Sequence, residues 1–154
     1  MKNNPILYIL MRNDLQSLNP GKAMAQASHA TNLFMLDKNP AVQLLRKEWT
    51  KTTTQGFGTV LVLAASLSQI KTAVKAAMKV SGMFPTCGGL VVDPTYPYSV
   101  SAETAELIPI THDTLPRIIS GQTASLWRQD ITCGYVFGDK GDLRTVIGNL
   151  PLHP

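Results

Sequence analysis

Four short stretches carry almost unbroken apolar residues: Ile6–Met11, Thr59–Ala64, Leu90–Val92 and Thr132–Phe137. A strand with one face in water alternates apolar and polar side chains. Runs without alternation therefore predict strands covered on both faces by helices. Between them the period changes. Pro20 to about Lys38 and Ala41 to about Thr50 read as helices separated at Asn39-Pro40. Ser66 with Gln69 three residues later is a capping box that opens a third helix, with Leu67, Ile70, Val74 and Met78 as its buried stripe and Gly82 as its C-cap. A last short helix over Asp142–Ile147 is expected to stop at Gly148. Residues 101–129, broken by Pro109, Pro116 and Gly121, predict an elaborate loop covering one end of the sheet, with Ile118-Ile119 and Leu126-Trp127 packed as small helical turns. The order of elements predicts one α/β domain over residues 1–154. Four strands with helices on both faces are expected, with the strand directions left open.

The first helix holds the most informative side chains. Asn19 is a good N-cap and Pro20 suits the first helical position. Lys22, Gln26 and His29 fall at i, i+4 and i+7 as one polar stripe, while Ala23, Ala27, Ala30 and Phe34 form another. A lysine at a helix N-terminus opposes the helix dipole, so Lys22 points to an anionic visitor more than to helix stability. Asp93 ends the third apolar run. If the first and third strands are parallel, Lys22 and Asp93 share their carboxyl edge, where open α/β sheets place ligands. Thr132 joins them only if the fourth strand runs antiparallel. A carboxylate at that lip needs a partner, and Lys22 is the expected one; the plainer reading is an Asp that caps the turn before Pro94.

Composition narrows the function classes. With 154 residues, 44% hydrophobic and 16% charged, the chain has the make-up of an ordinary globular protein. No apolar run is long enough to cross a bilayer, and Ile6–Met11 is too brief for a secretory signal, so a cytoplasmic location is expected. Cys87 and Cys133 lack CxxC spacing and nearby histidines; they read as small hydrophobes, and no metal is expected. Residues 1–92 hold ten Lys/Arg and three Asp/Glu, a balance of +7, whereas residues 93–154 hold four and seven, a balance of −3. Lys71, Lys75 and Lys79 recur every four residues as a ridge that suits either a phosphate backbone or plain solvation. Gly21-Lys22 is not a phosphate-binding loop, because Gln16 stands where the first glycine belongs and Ala23 where Ser or Thr belongs. No hydrolytic triad assembles around His29, His112 or His153; Ser28 and His29, adjacent on a helix, point about 100° apart.

The segments Arg12-Asn13-Asp14-Leu15 and Asn19-Pro20-Gly21-Lys22-Ala23-Met24-Ala25-Gln26-Ala27-Ser28-His29-Ala30 resemble the N-terminal motif of the archaeal/eukaryotic-type (type II) peptidyl-tRNA hydrolases. Trp49, Gly56 and Thr59–Leu63 look like that family's second strand, and Leu90-Val91-Val92-Asp93 like the strand bearing its aspartate. Thr132-Cys133-Gly134-Tyr135-Val136-Phe137-Gly138 is similar to the next strand, and residues 143–152 to the closing helix and tail. Two departures stand out. Pro94-Thr95-Tyr96-Pro97 replaces the usual Ala-Gly-x-Thr after the aspartate, and about thirty residues replace a tight turn before the last strand.

The resemblance implies an α/β fold built on a compact mixed four-stranded β-sheet with helices on both faces and an atypical insertion at about 101–129, and hydrolysis of the ester joining a peptide to the 3′ end of tRNA, with no metal or organic cofactor. It implies that Lys22, Gln26, Asp93 and Thr132 line the active site. Family members often form homodimers. Asn19, His29, Thr95, Lys71 and Lys75 are assigned to substrate binding. Asp93 would orient or deprotonate the water, Lys22 would neutralise the oxyanion or a phosphate, Gln26 would hold substrate or water, and Thr132 would supply a hydroxyl. Two other readings stay open: an RNA-binding module of the same fold that has lost catalysis, and a protein-interaction domain.

Overall fold

The computed structural model describes residues 3–16, 18–80, 82–109 and 114–154, so His112 lies outside the described residues. Strand β1 (Pro5–Arg12) is buried along its whole length, as its unbroken apolar run requires. Its even and odd residues serve different layers. Leu7, Ile9 and Met11 pack against helices α1 (Pro20–Met35) and α2 (Pro40–Thr50), whereas Ile6, Tyr8 and Leu10 pack against α3 (Leu67–Ala77) and α5 (Lys140–Ile147). Helices thus cover both faces of a mixed sheet ordered β2-β1-β5-β3, with β2 at Val60–Ala65, β3 at Cys87–Ser101 and β5 at Thr123–Asp139.

β2 pairs parallel with β1, while β5 runs antiparallel to both β1 and β3. β1, β2 and β3 therefore point the same way. Their carboxyl ends form one rim, marked by Arg12, Ala65 and Val92-Asp93, and β5 enters the sheet there at Ile131-Thr132. Both conditions set for Lys22, Asp93 and Thr132 to meet are fulfilled. The tail runs along the other edge of β2, where the Ala64 N–H donates to the Pro151 carbonyl at 2.8 Å and the His153 N–H to the Val62 carbonyl at 2.9 Å. That cover blunts an exposed edge.

The described residues of 101–129 form strands, a helix and a turn rather than an irregular loop. β3 and β5 continue past the rim as an antiparallel arm that carries α4 (Ala102–Leu107) and a fifth strand, β4 (Thr114–Ser120), paired with β5. Ile118-Ile119 and Leu126-Trp127 lie in strands rather than helical turns. Gly121, at φ 63°, makes the turn between them, so the residue read as a breaker is a hairpin tip. Tyr96, Tyr98 and Leu126 pack on Leu15 to give the arm its own small core.

Two helix details also differ. α3 ends at Ala77 with Met78 as its cap, and Met78 is exposed while Ala77 takes the buried position. Gly82 is not the cap; a Cβ there would collide with the Asp142 carboxylate. The Ser66–Gln69 capping box forms in both directions, at 3.3 and 2.8 Å.

Candidate active site

Asn19 accepts a hydrogen bond from the Lys22 N–H at 2.9 Å and starts α1 at the rim. One turn later Gln26 comes down on the sheet. It is not part of a solvent-facing polar stripe: Gln26 is 4% exposed and shares the buried face with Ala23 and Ala30, Lys22 is half-buried, and His29 is exposed. A buried amide must find partners, and Gln26 finds them on two strands.

The first is Thr132, placed by a bulge. Along β5 the pairing passes from Cys133 opposite Val91 to Ile131 opposite Val92, which leaves Thr132 as an extra residue. A bulge breaks the alternation of side chains, so both Thr132 and Cys133 reach α1. The fully buried Thr132 hydroxyl donates to Gln26 Oε1 at 2.6 Å, and the Cys133 thiol lies 3.4 Å from the Gln26 carbonyl oxygen. The second partner is Asp93, whose Oδ2 accepts from Gln26 Nε2 at 2.7 Å. A carboxylate oxygen only accepts here, so the amide must turn its NH2 to Asp93 and its oxygen to Thr132. The result is a directional chain, Thr132 to Gln26 to Asp93.

Asp93 Oδ1 accepts from the Thr95 N–H at 2.9 Å. Asp93 thus caps the turn before Pro94 and joins the buried chain at the same time. Its strand is irregular at this point: Asp93 stands opposite Asp130 and Tyr96 opposite Arg128, with a register shift between them.

The expected Lys22–Asp93 ion pair does not form. Lys22 Nζ donates to the Pro97 carbonyl at 3.3 Å and sits 5.2 Å from the centre of the Tyr96 ring. The reason is helical spacing. Gln26 lies over Asp93, and Lys22, one turn nearer the N-terminus, reaches β3 four residues further on, at the base of the arm. The ammonium and the carboxylate share the rim as neighbours anchored separately.

The remaining site residues are scattered. The Asn19 side-chain oxygen is spent on capping α1, Thr95 meets Asp93 through its backbone, and His29 is exposed outside the hydrogen-bonded group. Lys71, Lys75 and Lys79 are all exposed on or just after α3, on the opposite layer from Gln26. Both thiols are pushed up to about 12 by burial, Cys87 further by the Asp37 carboxylate, so neither is a ready nucleophile. Among the described residues no group of three or more His, Cys, Asp or Glu could hold a metal ion. No described helix is long and apolar enough to cross a membrane.

Beside the site lies a charged knot that was not read from the sequence. Arg12, 8% exposed, donates from Nε to Asp14 at 2.7 Å and from Nη1 to both Asp130 Oδ1 and the Ile131 carbonyl at 3.0 Å. Asp14 also accepts the Leu67 N–H at the start of α3. Burial alone would raise its carboxyl, but the hydrogen bonds from Arg12 and Leu67 outweigh this and hold it below the usual range. Asp130 Oδ2 accepts from the Tyr98 hydroxyl; burial first, and this bond second, raise the phenol. A cavity of about 410 Å³ flanks the knot under the arm, with Tyr98, Val100 and Leu126 in its wall, and it does not include Asp93. An arginine ending a wholly apolar strand was the available signal; Asp130, 118 positions away, carried none. Compared with known proteins, the chain matches no protein-family model and no curated protein sequence.

Proposed function

We propose that this chain hydrolyses the ester between a peptide and the 3′ end of tRNA, as a type II peptidyl-tRNA hydrolase, with water as the nucleophile. The observation that carries the reading is the Thr132–Gln26–Asp93 hydrogen-bond chain at the carboxyl rim, with Lys22 one helical turn away. Such an ester is already activated, so a placed water and a stabilised oxyanion suffice.

The surroundings favour water over a protein nucleophile. Cys133 is buried with its thiol held neutral, and Thr132 is buried with its hydroxyl proton committed to Gln26. Asp93 is half-buried and both of its oxygens act as acceptors, so it offers lone pairs to a water at the lip. Lys22, which among the described residues donates to a carbonyl and lies over a ring face, supplies the positive charge for an oxyanion or phosphate.

A second reading, an RNA-binding module of this fold without catalysis, draws on one observation: both Asp93 oxygens already have donors inside the protein. Release of labelled peptide from peptidyl-tRNA separates the two. Wild type is expected to release peptide, with losses of about 100-fold or more for Asp93→Ala and for Lys22→Ala. Salt-sensitive tRNA binding without release would favour the binding module. Absence of tRNA binding at low salt would favour a protein-interaction domain.

A further inference from the structure

We infer that Arg12 is a positioning residue for the Thr132–Gln26–Asp93 chain, acting through the strand that carries Thr132. Its role in catalysis rests on the hydrolase reading above; its structural effect does not. Arg12 ends β1, the strand beside β5, and its guanidinium reaches the two residues of β5 that immediately precede the bulge: the carboxylate of Asp130 and the carbonyl of Ile131. Thr132 is the next residue. On the far side of β5, Asp130 stands opposite Asp93.

Two carboxylates opposite one another on antiparallel strands repel. Arg12 and the Tyr98 hydroxyl engage both Asp130 oxygens, with Arg128 at 3.6 Å from one of them, which offsets that charge beside Asp93. Its Nε grips Asp14, which in turn holds the first turn of α3, so the same side chain ties β1, β5 and α3 at one point of the rim. A buried ionic knot of this kind is weak as a source of stability, because desolvating the charges offsets much of their attraction. Its geometry is what an apolar residue of equal size cannot copy. Only a planar fork with several fixed donors meets two carboxylates and a carbonyl together.

The position of Thr132 sets the Gln26 amide, and the amide sets Asp93. Loosening Ile131 therefore releases Gln26 without touching it. The test is glutamine side-chain amide NMR on Arg12→Met, Arg12→Lys and the double variant R12M/D130N, which leaves no stranded carboxylate at 130. In wild type the buried, hydrogen-bonded Gln26 side-chain NH2 is expected to give two dispersed signals protected from exchange with water. Both Arg12 variants are expected to show reduced dispersion and protection while the melting curve stays cooperative. Arg12→Lys retains more than Arg12→Met because it keeps the charge but not the fork. Should Arg12→Met fail to fold, the lysine and double variants give the same reading.

In the peptide-release assay kcat is expected to fall by up to about 100-fold with KM little changed, the signature of misplacement rather than lost binding. Unaltered Gln26 amide signals in folded variants would overturn the proposal. A wild-type protein that releases no peptide overturns the hydrolase reading and leaves the amide result standing as the test of Arg12.

Discussion

Gln26 shows how a single polar side chain organises the rim. A buried primary amide left without partners costs several hydrogen bonds' worth of desolvation, so its two bonds to Thr132 and Asp93 hold α1, β5 and β3 to one another at the site. The i, i+4 spacing places it on the Lys22 stripe, but the face of α1 that packs on the sheet runs through Ala23, Gln26, Ala30 and Phe34, so this stripe splits between solvent and core. The two thiols give a check at the same scale. Their folded values, about 12 against an ordinary 9.0, mean the fold favours the neutral form. That contribution is complete below pH 9.0 and is lost as pH rises from there toward 12. We expect both thiols to resist alkylation at about pH 8 in the native protein and to react at once in denaturant, with stability declining above pH 9.0. Fast alkylation of the native protein would contradict their placement.

At the scale of elements, the helices were legible wherever an end carried its own chemistry. Asn19-Pro20, Ser66 with Gln69, and Gly148 each start or terminate a helix as read; Asn39-Pro40, read as the stop of the first helix near Lys38, instead opens α2, because α1 already ends at Met35 with Leu36 as its cap. Ser66→Ala removes the acceptor for the Gln69 N–H and is expected to cost about 1 kcal/mol, read as a lower denaturation midpoint with an unchanged transition slope. The arm was illegible for a physical reason. Its period-two pattern is present, with Tyr96, Tyr98 and Ala124, Leu126 buried at alternate positions, but Pro94 and Pro97 punctuate the first strand and the register shift between Asp93 and Tyr96 breaks its alternation just before the arm begins. Prolines in an arm are tolerated where no ladder N–H is needed. The bulge at Thr132 has no local sequence mark either, because it exists only as a mismatch between two strands.

For the molecule as a whole, the residues at the strand ends set a condition, β1 parallel to β3 and β5 antiparallel to both, that the sequence left open and the sheet fulfils; that topology joins side chains 67 and 106 positions apart. The basic ridge on and just after α3 lies on the other layer and is exposed. What the account asks of this architecture is that Gln26 and Asp93 act as one unit on a tRNA-linked ester. The most direct measurement is peptide release by Gln26→Ala, Asp93→Ala and the double variant, on protein shown to melt cooperatively. Residues of one unit fail together, so each single change is expected to cost about 100-fold and the double no more than about the worse of the two. Losses that multiply in the double variant, or a wild-type protein that leaves the ester intact, would contradict the account.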